Sequence, residues 1–499
     1  MDARGRGGPS PWWRRGVLYQ AYPRSFADSN GDGIGDLSGL VSRLAYLEWL
    51  GVAGLWLNPT TPSPNADWGY DVADYRDVHP DLGTLGELDR LVKEAGARGI
   101  RLLLDLVPAH TSDRHPWFLD SRSARDAPRR SWYVWADARA DGSPPNEWES
   151  TFGGPAWTLD DRTGQYYLHH FLAEQPDLNW QTRAVREAFD GILRFWFDRG
   201  VAGFRIDVAH QIAKDLELRV DVAATHEVLR GWRRLADAYE PRRILLGETY
   251  VLSVEDLAAF YGTGEDELDL ALNFPFLLAP FEARALRELV ETTERLIPPA
   301  AWPVWALSNH DHVRFPTRWG DGDERRVRCA LLILLTLRGT PILYYGDELG
   351  MEETDIPPAR VRDAAGRDGA RTPMPWSGEP GAGFTSPDAE PWLPFGDHER
   401  RNVEAQRADP ESPLRLCRDL IALRGEFVDA PYESVAAPPG VWAWRRGERV
   451  LVALNMSDAE AAVTGVHGAV RVATERARDG ERVNGRLELG PWEGAVVAR

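Results

Sequence analysis

Cysteine is nearly absent from this chain: 499 residues carry two, Cys329 and Cys417. Neither sits at metal-ligand spacing, which argues against a disulfide framework and a zinc cluster and suits a reducing compartment. No uninterrupted apolar run approaches the ~18 residues of a membrane-spanning helix, and the opening stretch MDARGRGGPSPWWRRGVLYQ has no apolar signal core. Positive charge is in deficit, 58 Lys and Arg against 77 Asp and Glu, for a net charge of -19. Phosphate backbones and anionic lipid are therefore poor partners. Internal repeats and low-complexity tracts are missing as well. The expectation is a soluble cytoplasmic protein that works without nucleic acid or membrane on a small neutral or cationic ligand.

What is present is ordinary for a folded protein, with 43% hydrophobic and 27% charged residues, except for 21 Trp. Indole faces stack on sugar rings, although the core is the usual place for an aromatic side chain. Eight short apolar runs recur, each ending in polar residues. They are GVLYQAYP (16–23), GVAGLWLNP (51–59), IRLLLDLVPAH (100–110), GFRIDVAH (203–210), ILLGETY (244–250), LDLALNFPF (268–276), PVWALSNHD (303–311) and TPILYYGDE (340–348). Between them lie amphipathic stretches such as LGELDRLVKEAGARG (85–99) and AVREAFDGILRFWFDRG (184–200), each closed by a glycine of the kind that ends helices. Eight β/α units predict a (β/α)8 TIM barrel, an α/β fold whose sites lie at the C-terminal ends of the strands. About ninety residues separate the third and fourth runs, too many for a helix and loop. Residues 111–180 are therefore expected to form an inserted subdomain B, leaving 1–110 and 181–424 to the barrel. Beyond that the pattern turns to short strands without helices, which predicts a C-terminal antiparallel β-sandwich domain over 425–499.

The strand ends deliver Asp105 and His110, then Arg205 and Asp207, then Glu248, then Asn309, His310 and Asp311. In GFRIDVAH, Phe204, Ile206 and Val208 alternate with Arg205 and Asp207, so two opposite charges share one face of a strand. Burying them is costly unless they are paired, which makes the strand either a braced structural element or the floor of a working site. Four carboxylates, two histidines and an arginine gathered at one barrel mouth favour the site. Glycoside hydrolysis uses such a pair of carboxyls, an acid and a nucleophile about 5 Å apart when configuration is retained. Two like charges that close raise one pKa and keep an acid protonated near neutrality.

These segments resemble the signatures of the α-amylase family of glycoside hydrolases, glycoside hydrolase family 13. DLVPAH resembles the first, GFRIDVAH the second, GETY the third and SNHD the fourth, in the family's order. The resemblance runs from about residue 12 to the end of the chain, and QPDLN (175–179) is similar to the marker of the oligo-1,6-glucosidase and α-glucosidase branch. It implies a retaining exo-α-glucosidase that removes terminal glucose from short maltose- or isomaltose-type oligosaccharides through a covalent glucosyl-enzyme intermediate. Asp207 would be the nucleophile, Glu248 the general acid and base, and Asp311 the third acid that binds and distorts the sugar. Arg205 would orient Asp207 and hold it ionised, with Asp105, His110 and His310 in the sugar-binding set. Asp71 and Arg367 would close the end of the pocket, and Tyr70 would offer a stacking face. Val208, directly after the nucleophile, accompanies α-1,6 preference in this branch. A trehalose- or sucrose-converting isomerase or transglucosidase of the same family would carry the same residues and differ in what attacks the intermediate.

In DSNGDGIGDL (28–37), Asp28, Asn30, Asp32 and Asp36 alternate with glycines, a pattern suited to a hard, oxygen-seeking cation. The resemblance implies structural Ca2+ here, with the carbonyl of Ile34 as a further ligand. Ala109 stands where the first signature has an Asn that helps ligate a metal in calcium-dependent amylases, so no second metal site is expected.

Overall fold

The structure, a computed structural model, describes residues 11–215, 219–220 and 222–499. Residues 1–10, 216–218 and 221, assigned above to the barrel, lie outside the described residues. Eight strands form one parallel sheet: β1 Leu18–Ala21, β2 Gly54–Leu57, β3 Arg101–Leu106, β4 Gly203–Ile206, β5 Ile244–Gly247, β6 Leu270–Ala271, β7 Val304–Ala306 and β8 Thr340–Tyr344. Their spatial order is β7, β8, β1, β2, β3, β4, β5, β6, a near-closed (β/α)8 barrel. Apart from Arg101 every residue of these strands is buried, which is why they read as continuous apolar runs. Gly203 permits close packing of β4 on β5, since a Cβ there would lie 2.3 Å from the carbonyl oxygen of Ile244.

The amphipathic stretches fold as helices Leu85–Ala97 and Arg183–Asp198, and the glycines that follow, Gly99 and Gly200, take φ of 75° and 91°. Thr84 and Glu87 cap the first helix reciprocally. Between β3 and β4 the chain builds a three-stranded antiparallel sheet from Trp135–Asp137, Gln165–Leu168 and Trp157–Asp160 with its own apolar cluster around Trp157 and Tyr166. This segment is tied back beside the barrel by the bridge His110 to Asp177, and the bridge Tyr133 to Leu178 closes it on itself.

The last strands are β9 Tyr432–Val435, β10 Val441–Arg446, β11 Val450–Asn455, β12 Ala461–Ala473, β13 Arg482–Leu489 and β14 Glu493–Ala498. They make one six-stranded antiparallel sheet in the order β9, β10, β11, β14, β12, β13. Trp442, Trp444, Val452 and Leu454 join the main core with the helix Glu324–Thr336, while Val441, Ala443, Leu451 and Ala453 belong to a separate cluster. That division follows the period-two alternation of strands. The buried guanidinium of Arg446 stitches this sheet to the barrel, and that of Arg424 ties the helix Pro413–Arg424 to the same place. Arg446 donates to the carbonyls of Thr336, Phe427 and Val428 at 2.5, 3.0 and 2.9 Å, and Arg424 to those of Leu335 and Leu337 at 3.1 and 2.9 Å. Burial pulls both guanidiniums down to about 9.

Candidate active site

Strand β4 ends in a sharp turn. Val208 takes φ of 39°, a left-handed conformation that is costly for a β-branched residue and typical of functional strain. Its N–H donates to Glu248 Oε2 at 2.8 Å, joining the ends of β4 and β5. Arg205, 1% exposed, bridges the acids: Nη1 donates to Asp207 Oδ1 and to Asp105 Oδ1 at 2.8 Å each, and Nη2 lies 2.7 Å from Glu248 Oε2. The opposite charges of β4 are thus mutually paired, and the pair reaches β3 and β5.

A cavity of about 600 Å³ opens over these groups. Asp207, Glu248, Asp311, Tyr70, His110 and Arg367 line it, as the sequence predicts. Arg205, Asp105 and His310 stand directly behind, where they hold the lining groups. Asp311 Oδ1 accepts from Arg367 and Arg371 at 3.0 and 3.1 Å, and its Oδ2 lies 3.1 Å from His310 Nε2. Asp105 Oδ2 accepts from the Tyr70 hydroxyl at 3.0 Å.

Asp71 is placed elsewhere. It is fully buried and accepts from Ser63 Oγ at 2.6 Å and from the N–H groups of Ala66 and Asp67 at 3.0 Å, so it braces its own loop. The position beside Arg367 assigned to Asp71 is taken by Asp67, whose Oδ1 accepts from Arg367 Nη2 at 2.5 Å. Gln175, the first residue of QPDLN, donates to Asp67 Oδ2 at 2.9 Å and lies 3.0 Å from His110 Nε2. Asp363 holds Arg367 from the other side at 2.7 Å. Sequence reading also missed Phe152 and Phe171 from the inserted segment, and Tyr250 and His312, which line the cavity together with Thr151, His210, Gln211 and Ala365. Of the first four only Tyr250 carried a signal, as the residue two places after Glu248.

Burial pushes the Asp207 carboxyl upward, with Glu248 and Asp105 adding to the rise and Arg205 opposing it. Burial also raises Asp105, to about 6. Burial acts the same way on Asp311, but His310, Arg367 and Arg371 more than offset it and hold that carboxyl well below the usual range. His110 is pushed down to about 4 by burial and is neutral near pH 7. Perturbed carboxyls gathered over one cavity are what a catalytic site shows.

The loop 28–36 lies apart from this cavity. Asp28 accepts from the N–H groups of Asn30, Gly31 and Gly33 at 2.8–2.9 Å and from Thr385 Oγ1 at 2.5 Å. Asp36 accepts from the N–H groups of Ser29 and Gly39, Asn30 from that of Asp32, and Asp32 from that of Ile34. The side-chain groups of the loop that would face a cation are all oxygen, as calcium prefers. Among the described residues no three acidic, His or Cys side chains are gathered as a metal-holding group.

A barrel of this kind with three acids over a bridging arginine at its strand ends defines a glycoside hydrolase. Residues 20–430 match the α-amylase catalytic domain, and the chain belongs to that family, glycoside hydrolase family 13. It is 39% identical to a probable α-glucosidase of Rhizobium meliloti (strain 1021), with 90% of each chain covered. It is 37% identical to an oligo-1,6-glucosidase of Heyndrickxia coagulans, covering 90% of this chain and 92% of that one. The solved trehalulose synthase of Pseudomonas mesoacidophila MX-45 superposes with a TM-score of 0.92 at 32% identity, covering 98% of this chain and 100% of that one.

Proposed function

We propose that this enzyme is a retaining exo-α-glucosidase of short maltose- or isomaltose-type oligosaccharides. The observation that carries the reading is the single guanidinium of Arg205 held by both Asp207 and Glu248, which keeps two carboxyls at close range over one cavity. That arrangement suits the short separation of a retaining pair. Glu248 protonates the glycosidic oxygen while the Asp207 carboxylate bonds to C1 and the leaving sugar departs with the proton. Glu248 then takes a proton from water, the water oxygen bonds to C1, and the Asp207–glucose bond breaks. Asp311, ionised, accepts from sugar hydroxyls. The Arg367 to Asp67 pair and His110, which line the cavity, support attack at a chain end. Val208 borders the departing sugar and supports α-1,6 linkages among the substrates.

Proton NMR of the glucose first released from an aryl α-glucoside is expected to show the α anomer; initial β-glucose would overturn retention. Asp207→Ala is expected to lower kcat by about 10³-fold or more in a folded protein, and near-normal turnover would remove Asp207 as nucleophile. The likeness to trehalulose synthase favours a second reading, in which a sugar hydroxyl takes the place of water. Released glucose and fructose from sucrose support hydrolysis, and an isomeric disaccharide supports the second reading.

Calcium in the loop 28–36 is part of this proposal, held by Asp28, Asn30, Asp32, Asp36 and the Ile34 carbonyl. A ligand of the native state stabilises it by mass action. Excess chelator is therefore expected to lower Tm more than it lowers activity. An unchanged melting curve, with no metal by elemental analysis, would remove calcium from the account.

A further inference from the structure

We infer that Gln20 and Asn58 are positioning residues that fix His310 as a neutral imidazole protonated on Nε2, through a hydrogen-bond chain whose direction is set by Asp105. All four are buried, with Gln20 at 0%, Asn58 and His310 at 1% and Asp105 at 9% exposure. An ionised carboxylate only accepts. Asp105 contacts Arg205 at 2.8 Å, which favours its charged form, and it ionises above about 6. The Tyr70 hydroxyl must therefore donate to Asp105 Oδ2 at 3.0 Å, leaving its oxygen to accept. It accepts from Asn58 Nδ2 at 3.0 Å, with Arg205 Nη1 as a longer third neighbour at 3.4 Å. Asn58 Nδ2 being the donor there, its Oδ1 accepts from Gln20 Nε2 at 2.9 Å. The same amide nitrogen lies 3.0 Å from His310 Nδ1, which must then be the unprotonated ring nitrogen.

The proton of His310 is left on Nε2, 2.5 Å from the Tyr70 oxygen and 3.1 Å from Asp311 Oδ2. In the other tautomer a lone pair would face the Asp311 carboxylate. Burial keeps the ring neutral, with Asp311 opposing and Arg371, Arg205 and Arg367 reinforcing. Strand β1, which bears no acid, thus acts on Asp311 two strands away in the barrel through the polarity of one amide.

The deepening rests on the proposed glucosidase reading only in its kinetic arm. Nitrogen-15 NMR of the imidazoles, with His310 assigned by its disappearance in His310→Asn, is expected to show Nε2 protonated and Nδ1 bare at pH 7. Gln20→Glu places an acceptor against Nδ1 and is expected to move the proton there, with kcat/KM on isomaltose falling about 10- to 100-fold. Gln20→Met, apolar and of similar length, removes the donor and is expected to give mixed tautomers. A wild-type His310 with Nδ1 protonated or doubly protonated would overturn the inference. So would a folded Gln20→Glu protein with an unchanged spectrum. Should Gln20→Glu fail to fold, the wild-type and Gln20→Met spectra decide. Loss of all α-glucosidase activity in the wild type would sink the functional reading and leave the tautomer to the spectrum.

Discussion

Asp67 and Asp71 are two acids four residues apart with opposite duties. Asp67 meets Arg367 at the cavity wall, whereas Asp71 gathers three donors of its own loop. Asp67→Asn is expected to cut kcat/KM by about 10- to 100-fold, since it loosens the arginine that also holds Asp311, with little change in Tm. Asp71→Asn sets an amide against those donors; buried donors left unmatched cost about 1–3 kcal/mol each. It should lower Tm first and activity only as a consequence. Paired thermal melts and kinetics of the two variants check this, and the reverse pattern would return the pocket end to Asp71. Asp71 lies in the stretch GYDVADY (69–75), but the chain reverses at Trp68 and Gly69, with φ of 48° and 113°, and a turn of that kind carries Asp67 inward instead. A left-handed Trp has no sequence signature, which is why Asp67 was not legible. Asp207, Glu248 and Asp311 were legible because strand alternation and strand ends fix where their side chains point.

At the scale of elements, the short helix Pro116–Ser121 starts on a histidine. His115 Nδ1 accepts from the Trp117 N–H at 3.0 Å, which requires that nitrogen to be bare, and burial pushes the ring down to about 3. On acidification from 6.5 to 3 the unfolded chain binds a proton there that the native state refuses. Stability therefore falls with pH in that window, by about 1.4 kcal/mol per unit at this residue. His115→Asn keeps a capping acceptor and does not titrate. Its Tm deficit against the wild type is expected to shrink between pH 8 and pH 5; a constant deficit would show that His115 titrates normally. The barrel strands themselves were legible as apolar runs because both faces are buried, and their helices because Gly99 and Gly200 end them. β6 was read too long, over 268–276. Asn273 Oδ1 accepts from the Phe276 N–H at 3.0 Å, capping the helix Phe274–Leu277 and ending the strand at Ala271. An Asn inside an apolar run gives no warning of that.

For the whole molecule, the C-terminal sheet lies far from the acids in sequence, yet it shares the main core with the helix Glu324–Thr336 of the barrel. The carbonyls that Arg424 and Arg446 satisfy belong to the end of the helix Glu324–Thr336, to Leu337 just after it and to Phe427 and Val428 in the segment that leads into β9. Neither guanidinium can be withdrawn without orphaning several buried carbonyls at once. Barrel and sheet should consequently surrender their order together. A calorimeter is expected to record one endotherm for the intact chain, and Arg446→Met to move that single peak downward rather than split it. Two resolved peaks in the wild type would contradict this. A chain cut after Arg424 would retain Asp207, Glu248 and Asp311 and still be a poor enzyme, because the helix end that precedes β8 would have lost its lid.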